Sequence, residues 1–365
     1  MSADSTKSKS TQSKPFPSAR GPVPVVISVG CPAGIGPEVA VSAAARLSAR
    51  IPCILVGDEE TLLLAADVRG VPRDALVAWD GRGQPPALGY VLAGPKLSAR
   101  DRKPGRPTEK SGAAQLAYLA AATELVMQRG FALATGPVSK EAIAKSKLAA
   151  APDFRGHTEW LEERDGAAHS VMCFSSERLV TSLVTTHVPL ASVPATLSAE
   201  DVATATVELA ELLRSLGRKG ARIAVCSLNP HAGEGELLGG EEKRSIVPGI
   251  ALAKQRLGAA AEVVGPIGAE TAYRKAYAGA FAGVVAMYHD QATIPMKLVA
   301  FGEAVNVTMG LSFVRTSVDH GTGYDIAWRG QASDSGMEAA IVLAETLGRG
   351  RLRQSRAAVR KLGRR

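Results

Sequence analysis

The sequence predicts an α/β fold, and three observations carry that expectation. From Pro24 onward, short β-branched or apolar runs alternate with loops rich in Gly, Pro and polar residues, each followed by a helix-like stretch. The chain has 365 residues and is 46% hydrophobic, enough to fill two packed α/β domains. Residues 112–130, GAAQLAYLAAATELVMQRG, set apolar side chains at three- and four-residue steps and close on Gly130, the pattern of a helix with a glycine cap.

The elements follow in order. VPVVISVG is a strand and CPAGIGPEVAVSAAARL a turn running into a helix. PCILVGD and EETLLLAADV repeat the pair, and FALATG precedes PVSKEAIAKS, where Lys140 opens a helix. Residues 82–110, dense in Pro, Gly and charge, are expected to be an irregular excursion. RLVTSLVTTH, ARIAVCSLNPH and AGVVAMYHDQ each begin as a strand and end in a polar loop.

Composition excludes several classes. No run of about 18 uncharged apolar residues is present, as a membrane helix would need, and the first residues lack the apolar core of a secretory signal, so a cytoplasmic protein is expected. Cys31, Cys53, Cys173 and Cys226 are scattered without zinc-ribbon or disulfide spacing and should be reduced packing residues. The formal net charge is +8, but residues 1–24 hold four basic side chains and one acid, and residues 349–365 hold eight basic and none acidic. The body between them is therefore slightly acidic. A nucleic-acid role is confined to the basic tail, which is expected to be a solvated, poorly ordered end.

Ligands in open α/β sheets bind beyond the carboxyl ends of strands. His187, His231 and His289 each end a predicted strand, so different strands could bring three imidazoles to one edge. Three neutral imidazoles suit a divalent ion such as zinc, cobalt, manganese or magnesium, although any one of them could merely hydrogen-bond its loop. Asp290 could orient His289 or cap the following turn. Lys297, Asn306 and Arg315 follow, each embedded in apolar sequence, and point to a shared anionic ligand or to ordinary ion pairs. FRGHTEW, with His157, Thr158 and Glu159, and TGPVSKEAI, with Lys140, could each hold phosphate; alternatively His157 is a satisfied loop histidine and Thr158 caps a helix that has Glu159 in its first turn. The stretch GCPAGIGPE is neither a dinucleotide fingerprint nor a P-loop, and its minimum meaning is a tight turn at a helix start.

Taken together and in this order, PAGIGPE, TGPVSK, GHTE, TTHVPL, LNPHAGEGE, MYHDQ and RTSVDHGT resemble the 4-hydroxythreonine-4-phosphate dehydrogenases, the PdxA family of pyridoxal phosphate biosynthesis. The resemblance implies a fold like isocitrate and isopropylmalate dehydrogenases, with two α/β/α lobes, mixed sheets, and a homodimer whose subunits share the active site. The lobes would be 25–130 plus 300–348 on the nucleotide side, and 131–299 on the side of metal, substrate and dimer contacts. A disordered head at 1–24 and the basic tail at 349–365 would flank them. It further implies His187, His231 and His289 as ligands of one divalent metal, and His157, Thr158, Lys297, Asn306 and Arg315 as substrate contacts. NAD or NADP would accept the hydride, and oxidation would be coupled to decarboxylation. The proton acceptor stays open among Lys297, Asp290 and a water on the metal.

The chain departs from the family pattern at Cys31, Ser139 and Glu270; the last, a catalytic candidate, stands where an Asp near the substrate is usual. Three alternatives remain: a dehydrogenase of a phosphorylated four-carbon sugar acid on the same fold, a metal-dependent hydrolase, and a nucleic-acid-associated protein using its tail.

Overall fold

The computed structural model describes residues 21–147 and 151–362, the last nine by their backbone alone. The expected head therefore lies outside the described residues except for 21–24, where Val23 is buried and its amide donates to Glu345 Oε1.

The strands are β1 (Val25–Ser28), β2 (Cys53–Gly57), β3 (Val77–Ala78), β4 (Leu88–Leu92), β5 (Ala132–Thr135) and β6 (Val171–Ser175). They continue as β7 (Val180–Leu183), β8 (Ala221–Cys226), β9 (Ala261–Ile267), β10 (Gly283–Ala286), β11 (Val305–Met309) and β12 (Arg315–Ser317). The helices are α1 (Gly36–Leu47), α2 (Glu59–Arg69), α3 (Glu109–Arg129), α4 (Lys140–Lys145), α5 (His157–Asp165) and α6 (Val193–Thr196). After these come α7 (Ala199–Ser215), α8 (Val247–Leu257), α9 (Ala269–Tyr277), α10 (His289–Ala300) and α11 (Ser335–Leu362). No helix among the described residues is long and apolar enough to cross a membrane.

All twelve strands join one mixed sheet in the order β3-β4-β2-β1-β5-β12-β11-β6-β7-β10-β8-β9. The first six in this order run parallel to one another. Direction reverses at β12/β11, again at β11/β6 and again at β6/β7, after which β7, β10, β8 and β9 run parallel. The inner parallel strands β1, β2, β5 and β10 are buried on both faces, which is why they read as continuous apolar runs. Their core side chains form one large cluster, while a second cluster around Met172, Phe174, Leu183, Val284 and Met296 lies under α9 and α10.

Several expectations change. The 82–110 excursion contains β4: LGYVL is a buried strand between Pro86 and Gly94 whose partner, β2, gives it the pairing that its flanking residues disguise. Strands β11 and β12 were hidden because their inward residues are Asn, Thr, Arg and Ser. The basic tail is no separate end: α11 crosses residue 349 without a break, Arg349 bonding Glu345 one turn back and Arg351 donating to the Leu311 carbonyl. The expected lobe edge at 130/131 falls between α3 and β5, yet β5 pairs with β1 and β12 in the middle of the sheet.

The PAGIGPE turn is packed shut. Gly30 has φ +79°, and a Cβ there would lie 2.3 Å from the Pro137 carbonyl oxygen. Glu38, in the first turn of α1, is fully buried. It accepts from the backbone amides of Trp328 (2.8 Å) and Gly330 (3.0 Å) and faces Arg69 Nε at 3.3 Å. This carboxylate ties α1 and α2 to the loop that follows β12. Replacing Glu38 by Ala strands two amides and a nearly buried guanidinium, and should lower the unfolding free energy by about 3–5 kcal/mol. The urea midpoint of the variant measures this; a midpoint unchanged from the parent would mean the anchor contributes nothing.

Candidate active site

A cavity of about 240 Å³ lies against one face of the central strands. The register explains which side chains floor it. Ser317, Asn306 and Phe174 stand opposite one another on β12, β11 and β6, and the next row is Arg315, Thr308 and Met172. Directly opposed residues share a face, so a guanidinium, an amide and hydroxyls project together. The polar ligand groups thus rise from a sheet face, whereas strand ends were expected to supply them. The reversals at β11 and β6 bring that face beside the loops after β7 and β10, which deliver His187 and His289.

Arg315 has no carboxylate within ion-pair distance among the described residues. It is 3% exposed, donates to Thr308 Oγ1 and Thr135 Oγ1 at 2.9 Å each, and leaves Nε buried without a partner. Burial pulls its pKa down to about 10, with Glu159 opposing. Asn306 Oδ1 and His157 Nε2 line the same cavity and are likewise buried without partners. Burial, then the charges of Arg315 and Lys140, hold the His157 pKa down to about 3, so its ring is neutral at physiological pH. Three orphaned polar atoms around one small space are what a bound polar ligand would satisfy.

Helix α5 begins at His157, with Gly156 as its cap; Thr158 is inside the helix and does not cap it, but it does line the cavity. Lys140, first residue of α4 behind the Ser139 cap, also lines it. Glu159 Oε1 stands 3.8 Å from His187 Nδ1. The imidazole beside it, helped by Lys140, holds the Glu159 carboxyl down to about 2 against the opposing effect of burial. The His187 and His289 rings are 5.8 Å apart, and His289 Nδ1 meets Asp290 Oδ1 at 2.8 Å. Asp319 and His320 complete the wall. Burial raises the Asp319 pKa while Lys297, 3.6 Å away, counters it.

The remaining expected residues are elsewhere. Lys297 does not line the cavity and reaches it only through Asp319. Asp290 is exposed and turned to His289. Glu270 sits on the open face of α9, bonded to Arg274 at 2.7 Å and to Thr271. His231 is exposed on the loop after β8, outside the cavity, with φ +52°. Ala232, Glu234 and Glu236 in that loop also have positive φ, an uncommon cluster for residues with side chains. Glu242 pins its base by accepting from the amides of Leu228 and Asn229 at 2.9 and 2.8 Å. No group of three His, Cys, Asp or Glu side chains that could hold a metal occurs among the described residues of one chain. His187 and His289 are two donors of the right class at a suitable separation, and each has its Nδ1 directed at a carboxylate.

An α/β sheet with a buried guanidinium and orphaned polar atoms around a cavity at its middle has the makings of a site for a small anionic ligand. The particular family follows from the sequence: the model of "Pyridoxal phosphate biosynthetic protein PdxA" matches residues 52–344, and the chain belongs to that family. A 4-hydroxythreonine-4-phosphate dehydrogenase from Geobacter metallireducens is 38% identical over 332 residues, 89% of this chain and 95% of that protein. The crystal structure of the enzyme of that name from Klebsiella pneumoniae superposes with a TM-score of 0.76 at 34% identity, covering 89% of this chain and 99% of its own. A Salmonella typhi relative provisionally named D-threonate 4-phosphate dehydrogenase is 35% identical over 328 residues, 88% of this chain and 98% of that protein. The α/β fold with its large mixed sheet agrees with these structures.

Two titrations give a pH prediction. A His depressed to about 3 stays neutral in the fold while the unfolded chain protonates near its model value of 6.5, so its stabilising contribution is lost as pH falls from there. Glu159, depressed from 4.5 to about 2, adds a second loss over that lower range. Unfolding free energy should therefore decline on acidification below pH 6.5, with a shallower slope between 6.5 and 4.5 in His157→Gln; equal slopes would mean His157 titrates normally.

Proposed function

We propose that this chain is an NAD- or NADP-linked dehydrogenase that oxidises 4-hydroxythreonine 4-phosphate and releases its carboxylate as carbon dioxide. The product would be 3-amino-2-oxopropyl phosphate, in cytoplasmic pyridoxine 5'-phosphate synthesis. Family membership supports the reaction class. The observation that carries the substrate class is Arg315, a buried guanidinium bonded only to neutral hydroxyls. Such a charge is stable when an anion shares its cavity.

In this reading Arg315 and Lys140 balance the substrate's negative charge, and His157, Thr158 and Asn306 fix its orientation with groups that need partners. The neutral His157 adds a hydrogen bond without adding charge. The substrate hydroxyl loses its proton on the side of Asp319, which lines the cavity and pairs with Lys297 outside it. Asp290 is committed to His289, and Glu270 to Arg274, which leaves Lys297 as the acceptor best placed among the sequence candidates. A divalent ion held by His187 and His289, with His231 of a second copy as third imidazole, would supply Lewis acidity at the hydroxyl, and the dinucleotide would take up the hydride. The closed PAGIGPE turn offers that dinucleotide no opening; a separate open cleft is lined by Arg106, Ser139, Lys145 and Tyr324.

A homodimer with shared sites accounts for two surface features. Ile294, Leu298 and Phe301 form an exposed apolar stripe along α10 and its C-cap, with Leu298 and Phe301 each 84% exposed. The helix that presents this stripe begins at His289, and the projecting His231 loop carries the exposed Leu237. An apolar stripe of this kind on a helix is a protein contact. The second reading is a sugar-acid substrate, favoured by the 35% identity to the relative provisionally named D-threonate 4-phosphate dehydrogenase.

The test follows NADH formation from 4-hydroxythreonine 4-phosphate and, separately, from D-threonate 4-phosphate. Turnover of the first is expected, with Arg315→Met reducing kcat/KM by about two orders of magnitude or more; turnover of the second alone would move the assignment to the sugar acid. For the shared site, neither His187→Ala nor His231→Ala should work alone, and co-refolded mixtures should regain activity because mixed dimers hold one intact site. No recovery would place all three imidazoles on one chain.

A further inference from the structure

We propose that Glu159 is a positioning residue: its carboxylate accepts the Nδ1 proton of His187 and so leaves Nε2 as the donor atom toward the divalent ion. This rests on the metal reading above. The two atoms concerned, Glu159 Oε1 and His187 Nδ1, are 3.8 Å apart, an ion-pair separation somewhat longer than a hydrogen bond. The neighbouring imidazole is held in the same way at shorter range, His289 Nδ1 to Asp290 Oδ1 at 2.8 Å. Each of two rings 5.8 Å apart therefore has the same nitrogen directed at its own carboxylate. A carboxylate on one nitrogen fixes the tautomer and ring orientation and makes the other nitrogen a better ligand.

A second observation is independent of the histidines. At Gly156 a Cβ would lie 2.8 Å from Glu159 Oε2 and 3.3 Å from both Cε and Nζ of Lys140. The bare Cα is what lets the carboxylate and the ammonium occupy that place. An acidic residue in the first turn of α5 is favourable wherever its side chain points, because of the helix dipole. That general preference explains neither the approach to His187 nor the space kept clear at Gly156.

The experiment measures Zn²⁺ affinity of the full chain by competition with a chromophoric chelator, and the absorption spectrum of the Co²⁺ form. Glu159→Ala should weaken Zn²⁺ binding by about 10–100-fold, and Glu159→Gln, whose amide oxygen can still accept the Nδ1 proton, should lose less. Gly156→Ala keeps every ligand and the carboxylate, yet should weaken binding and shift the Co²⁺ bands by displacing Glu159. Thermal melts of the metal-free proteins separate a fold effect: a lower Tm with unchanged Zn²⁺ affinity in Glu159→Ala overturns the proposal and leaves only the helix-start role. Equal losses in the Gln and Ala variants also overturn it, since acceptance of the proton would then be irrelevant. A parent protein that binds neither ion removes the metal reading itself, a result distinct from both.

Discussion

A guanidinium without a counter-ion, on a three-residue strand in the middle of a twelve-stranded sheet, sets the conditions that its surroundings meet. Among the described residues Arg315 donates to two threonine hydroxyls, enough to orient it and not enough to neutralise it. Its field helps keep His157 uncharged, and the nearest opposing influence is Glu159, across the cavity wall. Had a carboxylate been bonded directly to Arg315, the centre would be a closed structural ion pair with no demand for a ligand. The open valence is maintained because β5, β11 and β6 offer only hydroxyl, amide and apolar groups to that face.

The sheet's reversals make such a face possible. A uniformly parallel sheet would place its functional loops along one edge and cover both faces with helices. Here β11 and β6 interpose antiparallel pairings, and the cross-strand rows of β12, β11 and β6 become a floor. Loops after β7 and β10 supply the imidazoles, while the starts of α4 and α5 supply Lys140, His157 and Thr158. Glu38 fixes the far end of the segment after β12, whose near end carries Asp319 and His320 into the wall.

Much of this was legible in the sequence, and the rest was hidden for physical reasons. Parallel strands such as Val25–Ser28 and Cys53–Gly57 declared themselves because burial on both faces demands unbroken apolar runs. The long helix was foreseen as 112–130 and spans Glu109–Arg129, its extra turn supplied by the Thr108 cap. Strands β11 and β12 were illegible as strands because their inward side chains serve the cavity, yet Asn306 and Arg315 stood out as ligand groups for the same reason: polar residues set in apolar sequence. The rings of His187 and His289, each just beyond a strand, stand 5.8 Å apart. Glu159 could not be distinguished from an ordinary first-turn acid, because its partner is 28 positions away and joins it only through the fold. His231, Glu270 and Lys297 show the limit of reading positions one at a time: a strand-end or motif position fixes a loop, and not which surface that loop will meet.

The placement of β12 also bears on how the molecule is made. It pairs with β5, laid down about 180 residues earlier, and with β11 just before it. Until the ribosome has released residues 315–317, the nascent chain holds an unfilled slot between its two halves, with β5 presenting an unpaired edge. Pairings so distant in sequence form slowly. The residue that would hold the substrate's charge is thus on the last strand of the sheet to be synthesised. A chain truncated before Arg315 would therefore be a candidate for chaperone capture or edge-to-edge aggregation, more than for residual catalysis.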